Sequence, residues 1–386
     1  MKKIAFFGFF NETNYGDPII ADCTIWLYKE YCKKINIDIN PILVPINLVN
    51  YRLPLLLKYL RGVGNRLNIS FLREIEYKII LKKYTIKFKQ ILSDIDCIIF
   101  VGGGLLKFST QFFGPCIKAA ISVAEEKKIP VIFNSVGVEG YDDNNWKCRI
   151  LKECLLSKTV KSVSTRDDLN TLLNHYFDGL NEKHCQKVAD PAVWVSDCYG
   201  IYKDVYSNIV GVNIARGRIF SDYGYPIKPE DLFQFYVELI QKLSRNFSVR
   251  LFTNGHHNDN LFATSIYEYL RKCGLELEVL LPKSPKELVA CEAQCKGIIA
   301  TRLHSSIVAY SLDIPFVGLV WNDKLKFFGL NIGVPDYMVS YNNLKAIEVV
   351  SLFSKALNKG YNESIRSSFR GSIKDIVEFN INNYIK

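Results

Sequence analysis

The sequence predicts an α/β protein with two Rossmann-like, parallel-sheet domains facing a central cleft. Three observations lead there. The chain has 386 residues, more than one ordinary core holds and enough for two domains of about 150–200 residues. Short apolar runs alternate with amphipathic stretches of helix length, the βαβ pattern that makes parallel sheets covered on both faces. The alternation lapses near residues 196–208 and then starts again.

In order, the apolar run 3–9 is the first strand and 20–34 the first helix. A basic segment, 51–92, interrupts the pattern. Strands at 97–101, 131–135 and 162–164 then alternate with helices at 115–128, 145–157 and 167–176, and residues 188–192 close the first half. The second half repeats the scheme, with strands at 209–214, 249–253, 277–280, 297–300 and 316–320. Its helices fall at 229–245, 259–272, 284–293 and 303–312, and helices at about 343–358 and 362–384 finish the chain. The expected division is an N-terminal domain 1–200 carrying the insertion, a C-terminal domain 201–342, and closing helices 343–386 that pack back across the domains.

Composition sets the class. With 48% hydrophobic and 23% charged residues the chain reads as soluble and globular. No stretch has the roughly 18 uncharged apolar residues of a spanning helix. The apolar run after Lys2 and Lys3 is too short for a signal-peptide core. Eleven cysteines without a CxxC pair read as free thiols in a reducing cytoplasm, and none has zinc-ligand spacing. The net charge is +10, and segment 51–92 holds ten Lys/Arg against Glu74 and Glu76, or +8. Basic residues there alternate with large apolar ones, which suggests an element lying on an anionic membrane surface. The protein is then cytoplasmic and peripheral to the inner face. The alternative is a solvated helical hairpin with a basic face. Nucleic acid has no supporting motif.

In parallel sheets, ligands bind at the carboxyl ends of the strands. After the first strand comes "FFNETNYGDPII", with Asn11, Asn14, Tyr15, Gly16 and Asp17 in a turn before a helix start. "VGGGLLKF" (101–108) places Gly103 and Gly104 where backbone can approach a ligand, without matching GxGxxG. "SVSTRDD" (162–168) puts Arg166 after a strand, and "VGVNIARGR" (210–218) does the same for Asn213, Arg216 and Arg218. "FTNGHHND" carries His256 and His257; "TRLHSS" carries Arg302 and His304; "VWNDKLKFFG" carries Lys324. Four cations, Arg166, Arg302, His304 and Lys324, thus fall at predicted strand ends of both halves. They imply a small anionic ligand bearing phosphate or carboxylate.

At these positions the chain resembles the polysaccharide pyruvyl transferase family. The pieces are "NYGD" (14–17), "VGGGLL" (101–106), "SVSTRDD" (162–168), "ADPA" (189–192), "GVN" (211–213), "TRLHSSIVAYSLDIPFVGL" (301–319) and "DKLKFFG" (323–329). "SVSTRDD" has one residue more before the arginine than the family's S-V-R-D/E form. The resemblance implies a GT-B-like fold, phosphoenolpyruvate as co-substrate and a sugar as acceptor. The product is a cyclic pyruvate ketal, with phosphate released and no metal or redox cofactor required. It carries over Arg166, Arg302, His304 and Lys324. The expected donor side is these four with Asn213 and Arg216, and the acceptor side is Asn14, Tyr15, Asp17, Gly103 and Gly104. His304 is the expected general acid and Asp17 the expected base, with helix capping as the alternative for Asp17. The basic insertion suits a lipid-linked oligosaccharide acceptor in capsule or exopolysaccharide synthesis. Two other readings share the fold: a nucleotide-sugar glycosyltransferase, for which Glu268 and Glu276 are poorly placed, and a non-catalytic glycan- or membrane-binding relative.

Overall fold

The computed structural model describes residues 1–48, 70–107, 113–179 and 184–386. The chain forms two compact units: residues 1–10, 24–188 and 374–386 in the first, 11–23 and 189–373 in the second. The expected blocks 1–200, 201–342 and 343–386 are consecutive; the compact units are not. The loop after the first strand, with the first turns of the helix that follows, is grouped with the second unit.

The first unit is built on a six-stranded sheet ordered β2-β1-β3-β5-β7-β8, every pair parallel. Its strands are β1 (Lys2–Gly8), β2 (Ile39–Pro45), β3 (Cys97–Val101), β5 (Val131–Val136), β7 (Val160–Thr165) and β8 (His184–Lys187). Two short strands, β4 (Leu106–Lys107) and β6 (Val138–Glu139), pair separately. Helix α1 (Gly16–Lys34) follows β1 and is divided between the units after Cys23. β3 and β5 are buried along their whole length, which is why they read as unbroken apolar runs. Phe100 stacks on Phe133 at 4.6 Å, and Phe7 meets Phe88 edge-on at 5.1 Å.

The basic segment separates in part into two faces. Residues 51–69 lie outside the described residues. The remainder belongs to α2 (Ser70–Ile91), which packs on α3 (Gly114–Lys127). Tyr77, Ile80, Tyr84 and Phe88 of α2 are buried, and Tyr84 Oη donates to Ile46 O at 2.7 Å. Lys78, Lys82, Lys83, Lys87 and Lys89 are exposed on the outside. These apolar residues of α2 thus face this unit's own core. Burial of each large side chain contributes about 2 kcal/mol there. Ile86, 56% exposed, is the exception.

Beyond β6, α4 (Trp146–Leu155) starts where Asn145 caps it, accepting from Lys147 N–H at 3.0 Å. After β7, a single turn α5 (Leu169–Thr171), capped by Asp168, runs into a π-turn.

From Ala189 the second unit continues through a short 3-10 turn, Pro191–Trp194, into α6 (Val195–Tyr199). The stretch near 196–208, where the alternation lapses, is tied to the rest of the unit. Ser196 N–H donates to Ser311 Oγ at 3.0 Å, and Asp204 N–H to Ala293 O at 2.7 Å. The sheet runs β11-β10-β9-β12-β13-β14, again all parallel. The strands are β9 (Ile209–Asn213), β10 (Ser248–Phe252), β11 (Glu278–Leu280), β12 (Gly297–Ala300), β13 (Phe316–Val320) and β14 (Met338–Ser340). The helices are α7 (Pro229–Leu243), α8 (His257–Lys272), α9 (Pro285–Ala293), α10 (Leu303–Ser311), α11 (Asp323–Asn331), α12 (Ala346–Lys359) and α13 (Glu363–Tyr384). Numbered within the unit, the strand order is 3-2-1-4-5-6, the dinucleotide-fold order, with its switch point between β9 and β12.

Candidate functional site

The switch point of the second sheet puts the ends of β9 and β12 side by side, and the side chains there are bonded to one another. Asn213, last residue of β9, accepts Arg302 N–H on Oδ1 at 2.9 Å. Its Nδ2 donates to Asn254 Oδ1 at 2.8 Å. Asn213 and Asn254 are fully buried, so these bonds fix the loops after β9, β10 and β12 to one another.

Arg302 is the N-cap residue of α10 and gives it no side-chain cap. Its guanidinium turns to Asp259 in the first turn of α8: Nε donates to Oδ2 at 2.8 Å and Nη2 to Oδ1 at 2.7 Å. Asp259 is fully buried and takes a third bond from Arg216 N–H at 2.9 Å. His256 Nδ1 stands 3.8 Å from the same carboxylate. His256 also caps α8 by accepting Asn258 N–H at 3.3 Å. Burial pulls the His256 imidazole down from its ordinary value, against the pull of Asp259. The Arg216 guanidinium points elsewhere, with Nε on Asp222 Oδ2 at 3.0 Å. The Trp321 ring lies 5.9 Å from the Arg302 guanidinium.

His304, in the first turn of α10, is 8% exposed. Its Nε2 is 3.7 Å from Asp190 Oδ2, too long for a hydrogen bond but within ion-pair reach of an imidazolium. Asp190 is held by capping a short 3-10 turn, Pro191–Trp194, through Ala192 N–H at 2.9 Å. On the other side of the ring is Gly16: a Cβ there would fall 2.1 Å from His304 Nδ1.

The "NETNYGD" loop thus lies against His304 within the second unit, rather than with the N-terminal domain as expected. Tyr15 N–H donates to Asn254 O at 2.9 Å. Gly255 has φ +90° and would place a Cβ 2.2 Å from the Tyr15 ring, so both backbone and space require glycine there. Asn14 Nδ2 reaches Asp17 Oδ2 at 3.4 Å, and Asp17 N–H bonds Asn14 O at 3.2 Å. Asp17 is half-buried in the first turn of α1. Lys324, half-buried, is the second residue of α11, at the carboxyl end of β13 on the same sheet edge as Arg302.

Arg166, Gly103 and Gly104 belong to the first unit. Arg166 follows β7 directly, 8% exposed, with Nε 3.7 Å from Asp167 Oδ1. Gly103, at φ 79°, receives Gly137 N–H on its carbonyl at 2.7 Å. In the same unit Ser135 holds φ 54°, a left-handed backbone that costs a non-glycine residue about 1 kcal/mol. Its N–H donates to Ser164 Oγ at 2.8 Å.

Three participants carry little signal in the sequence. Asp259 stands in the "HHND" loop, beside two histidines that have the more obvious chemistry. Asp190 stands in the "ADPA" piece, where the sequence shows nothing of what it faces. Glu292, fully buried in α9, has no motif at all. Burial pushes its carboxyl well above the usual carboxylate range, and the Ser305 hydroxyl, next to His304, only partly opposes this. A carboxyl raised in the folded state costs no stability below its unfolded value. It costs progressively more as pH climbs toward the folded value, by about 1.4 kcal/mol per pH unit. Glu292→Gln should therefore raise the melting temperature at pH 8 and change it little at pH 4.5. An equal shift at both values would show that Glu292 titrates normally.

Comparison with known proteins identifies the fold and the family. The chain resembles solved UDP-GlcNAc 2-epimerases. For the enzyme of Methanocaldococcus jannaschii the TM-score is 0.61 at 13% identity, over 99% of this chain and 100% of that one. For that of Neisseria meningitidis, solved with UDP-GlcNAc, it is 0.55 at 12% identity, over 99% and 100%. These likenesses establish a GT-B-like fold. No curated protein matches the chain. The family model for polysaccharide pyruvyl transferase matches residues 10–323, which include Asp17, Arg166, Asp259, Arg302 and His304. The chain belongs to the polysaccharide pyruvyl transferase family.

Proposed function

We propose that the protein moves the pyruvyl group of phosphoenolpyruvate onto two hydroxyls of one sugar, releasing phosphate and closing a cyclic ketal. The observation that carries this reading is the edge of the second sheet. There Arg302, His304 and the start of α10 stand together with the Asn14–Asp17 loop. Phosphoenolpyruvate bears about three negative charges near neutral pH, so it needs fixed cationic and N–H donors. Arg302 takes the carboxylate, and Lys324 the phosphate as a point charge. Asn213 sets the Arg302 backbone. The first-turn amides of α10 carry partial positive charge toward the same anion.

His304 gives its proton to C3, leaving C2 electrophilic. One sugar hydroxyl attacks C2 and loses its proton to Asp17; the C2–O bond to phosphate breaks. The second hydroxyl then adds at C2 and closes the ring, its proton restoring His304, while Asp17 passes its proton to the departing phosphate. The balance is phosphoenolpyruvate plus diol giving ketal plus phosphate, without oxidant. Asn14 and Tyr15 border the acceptor at the same loop. Incubation with phosphoenolpyruvate and a panel of glycosides, read by mass, tests the reading. Phosphate release matched by a gain of about 70 Da on one glycoside, the mass of a pyruvate ketal, is the expected result. Transfer from a nucleotide-sugar instead would replace it.

The acceptor we propose is a lipid-linked oligosaccharide met at an anionic membrane face. No helix among the described residues is long and apolar enough to cross a membrane. What supports contact is the lysine face of α2, and its attraction is electrostatic, about 1 kcal/mol per lysine near the surface. Binding to vesicles containing phosphatidylserine should fall steeply between about 50 and about 300 mM salt. Equal binding to neutral vesicles would remove this role.

A further inference from the structure

We propose that Asp259 is a positioning residue for the donor arginine: it holds Arg302 by one edge so that the other edge meets the anion. The inference rests on the donor reading above and deepens it.

A guanidinium offers two bidentate edges, a side-on edge of Nε with one terminal nitrogen and an end-on edge of both terminal nitrogens. Asp259 occupies the side-on edge of Arg302 with two bonds of 2.8 and 2.7 Å. The end-on edge, with Nη1 and the second Nη2 hydrogen, is not taken by Asp259. Donor carboxylate recognition is therefore end-on.

The clamp is built rather than incidental. Asp259 is 0% exposed, and its Oδ1 also takes Arg216 N–H, which fixes the carboxylate from the β9 side. Arg302 is fixed at its other end by its own N–H on Asn213. The groups facing Asp259 are Arg302, Arg216, His256 and, across Thr301, the Tyr236 hydroxyl. Three N–H donors thus converge on one buried carboxylate and hold it in place. The donor then meets a guanidinium whose orientation is already set, so less rotamer entropy is lost on binding.

The test uses the full chain. Wild type is titrated with phosphoenolpyruvate, inorganic phosphate and pyruvate in separate calorimetric runs. Asp259→Asn, which cannot accept both bonds, should weaken phosphoenolpyruvate and pyruvate by tenfold or more and leave inorganic phosphate, which Lys324 takes, within about threefold. In turnover it should raise KM for the donor and leave kcat within about threefold, because His304 is held by other residues. Asp259→Asn combined with Arg302→Lys should bind no worse than Arg302→Lys alone. If Asp259→Asn fails to fold, Asp259→Glu, which keeps the charge but displaces the fork, should show the same KM-against-kcat split. Wild-type donor affinity in either folded variant overturns the proposal. Wild type that binds phosphate or pyruvate but not phosphoenolpyruvate overturns the donor reading and leaves the clamp standing. Wild type that binds none of the three overturns both.

Discussion

Replacing His304 by glutamine should slow ketal formation and phosphate release by about 10²- to 10⁴-fold, the range a positioned proton donor contributes. Donor affinity should change little. Glutamine keeps the length and a hydrogen-bond donor but cannot deliver a proton. The surroundings tolerate the change: His304 makes no short bond to Asp190 across 3.7 Å, and Asp190 keeps its bond from Ala192 N–H. The melting temperature should therefore stay within a few degrees, which separates lost chemistry from lost fold. The check is phosphate release, followed together with ketal mass on the best acceptor. Near wild-type rates would remove His304 as the acid and leave Arg302 and Lys324 as a binding site without one.

The alternation of apolar runs with amphipathic stretches is enough to place the inner strands of both sheets within a few residues. It misses β2, β8 and β14. All three are edge strands. An edge strand is short, half-exposed or broken by proline, as Pro41 and Pro45 break β2, so its apolar signal is weak. Arg302 and His304 are legible because the strand-end rule needs only sequence order. Asp259 and Asp190 are not, because an acid is informative only once its partner is known, and the basic groups they face lie 43 and 114 positions away. The place of the "NETNYGD" loop is also hidden. Its residues follow a strand of the first sheet, yet it hydrogen-bonds to Asn254 in the second unit. Sequence order says which strand a loop leaves, not which surface it packs on. In the basic segment the composition is plainly amphipathic, but a charged outer face with an apolar inner one fits a core helix as well as a membrane-surface one. The burial of Tyr84 and Phe88 gives the apolar face of α2 to the core and leaves its lysine face outward.

Gly16→Ala should cost both turnover and stability for the sake of a single methyl. Gly16 is the first residue of α1, where alanine suits the backbone better than glycine by up to about 1 kcal/mol. The obstacle is purely steric. The added carbon would sit 2.1 Å from His304 Nδ1, 2.3 Å from its Cγ and 2.8 Å from its Cβ. The Cβ is fixed by the backbone of α10, and the ring is almost wholly enclosed, so His304 cannot swing aside cheaply. Either the imidazole moves or the start of α1 moves, and with it Asn14, Tyr15 and Asp17. A displacement of about 1 Å costs on the order of 10²-fold in rate, and the overpacking about 1–3 kcal/mol of stability. Gly371→Ala is the matched control. Gly371 lies within α13, and a methyl added there would meet nothing inside 4 Å, so alanine should stabilise by about 0.5–1 kcal/mol and leave turnover alone. If Gly16→Ala kept wild-type kcat/KM with a melting temperature like that of Gly371→Ala, the packing of the loop against His304 would not matter to the reaction. If activity falls while Gly371→Ala is neutral, the "NYGD" glycine is there to make room for the histidine.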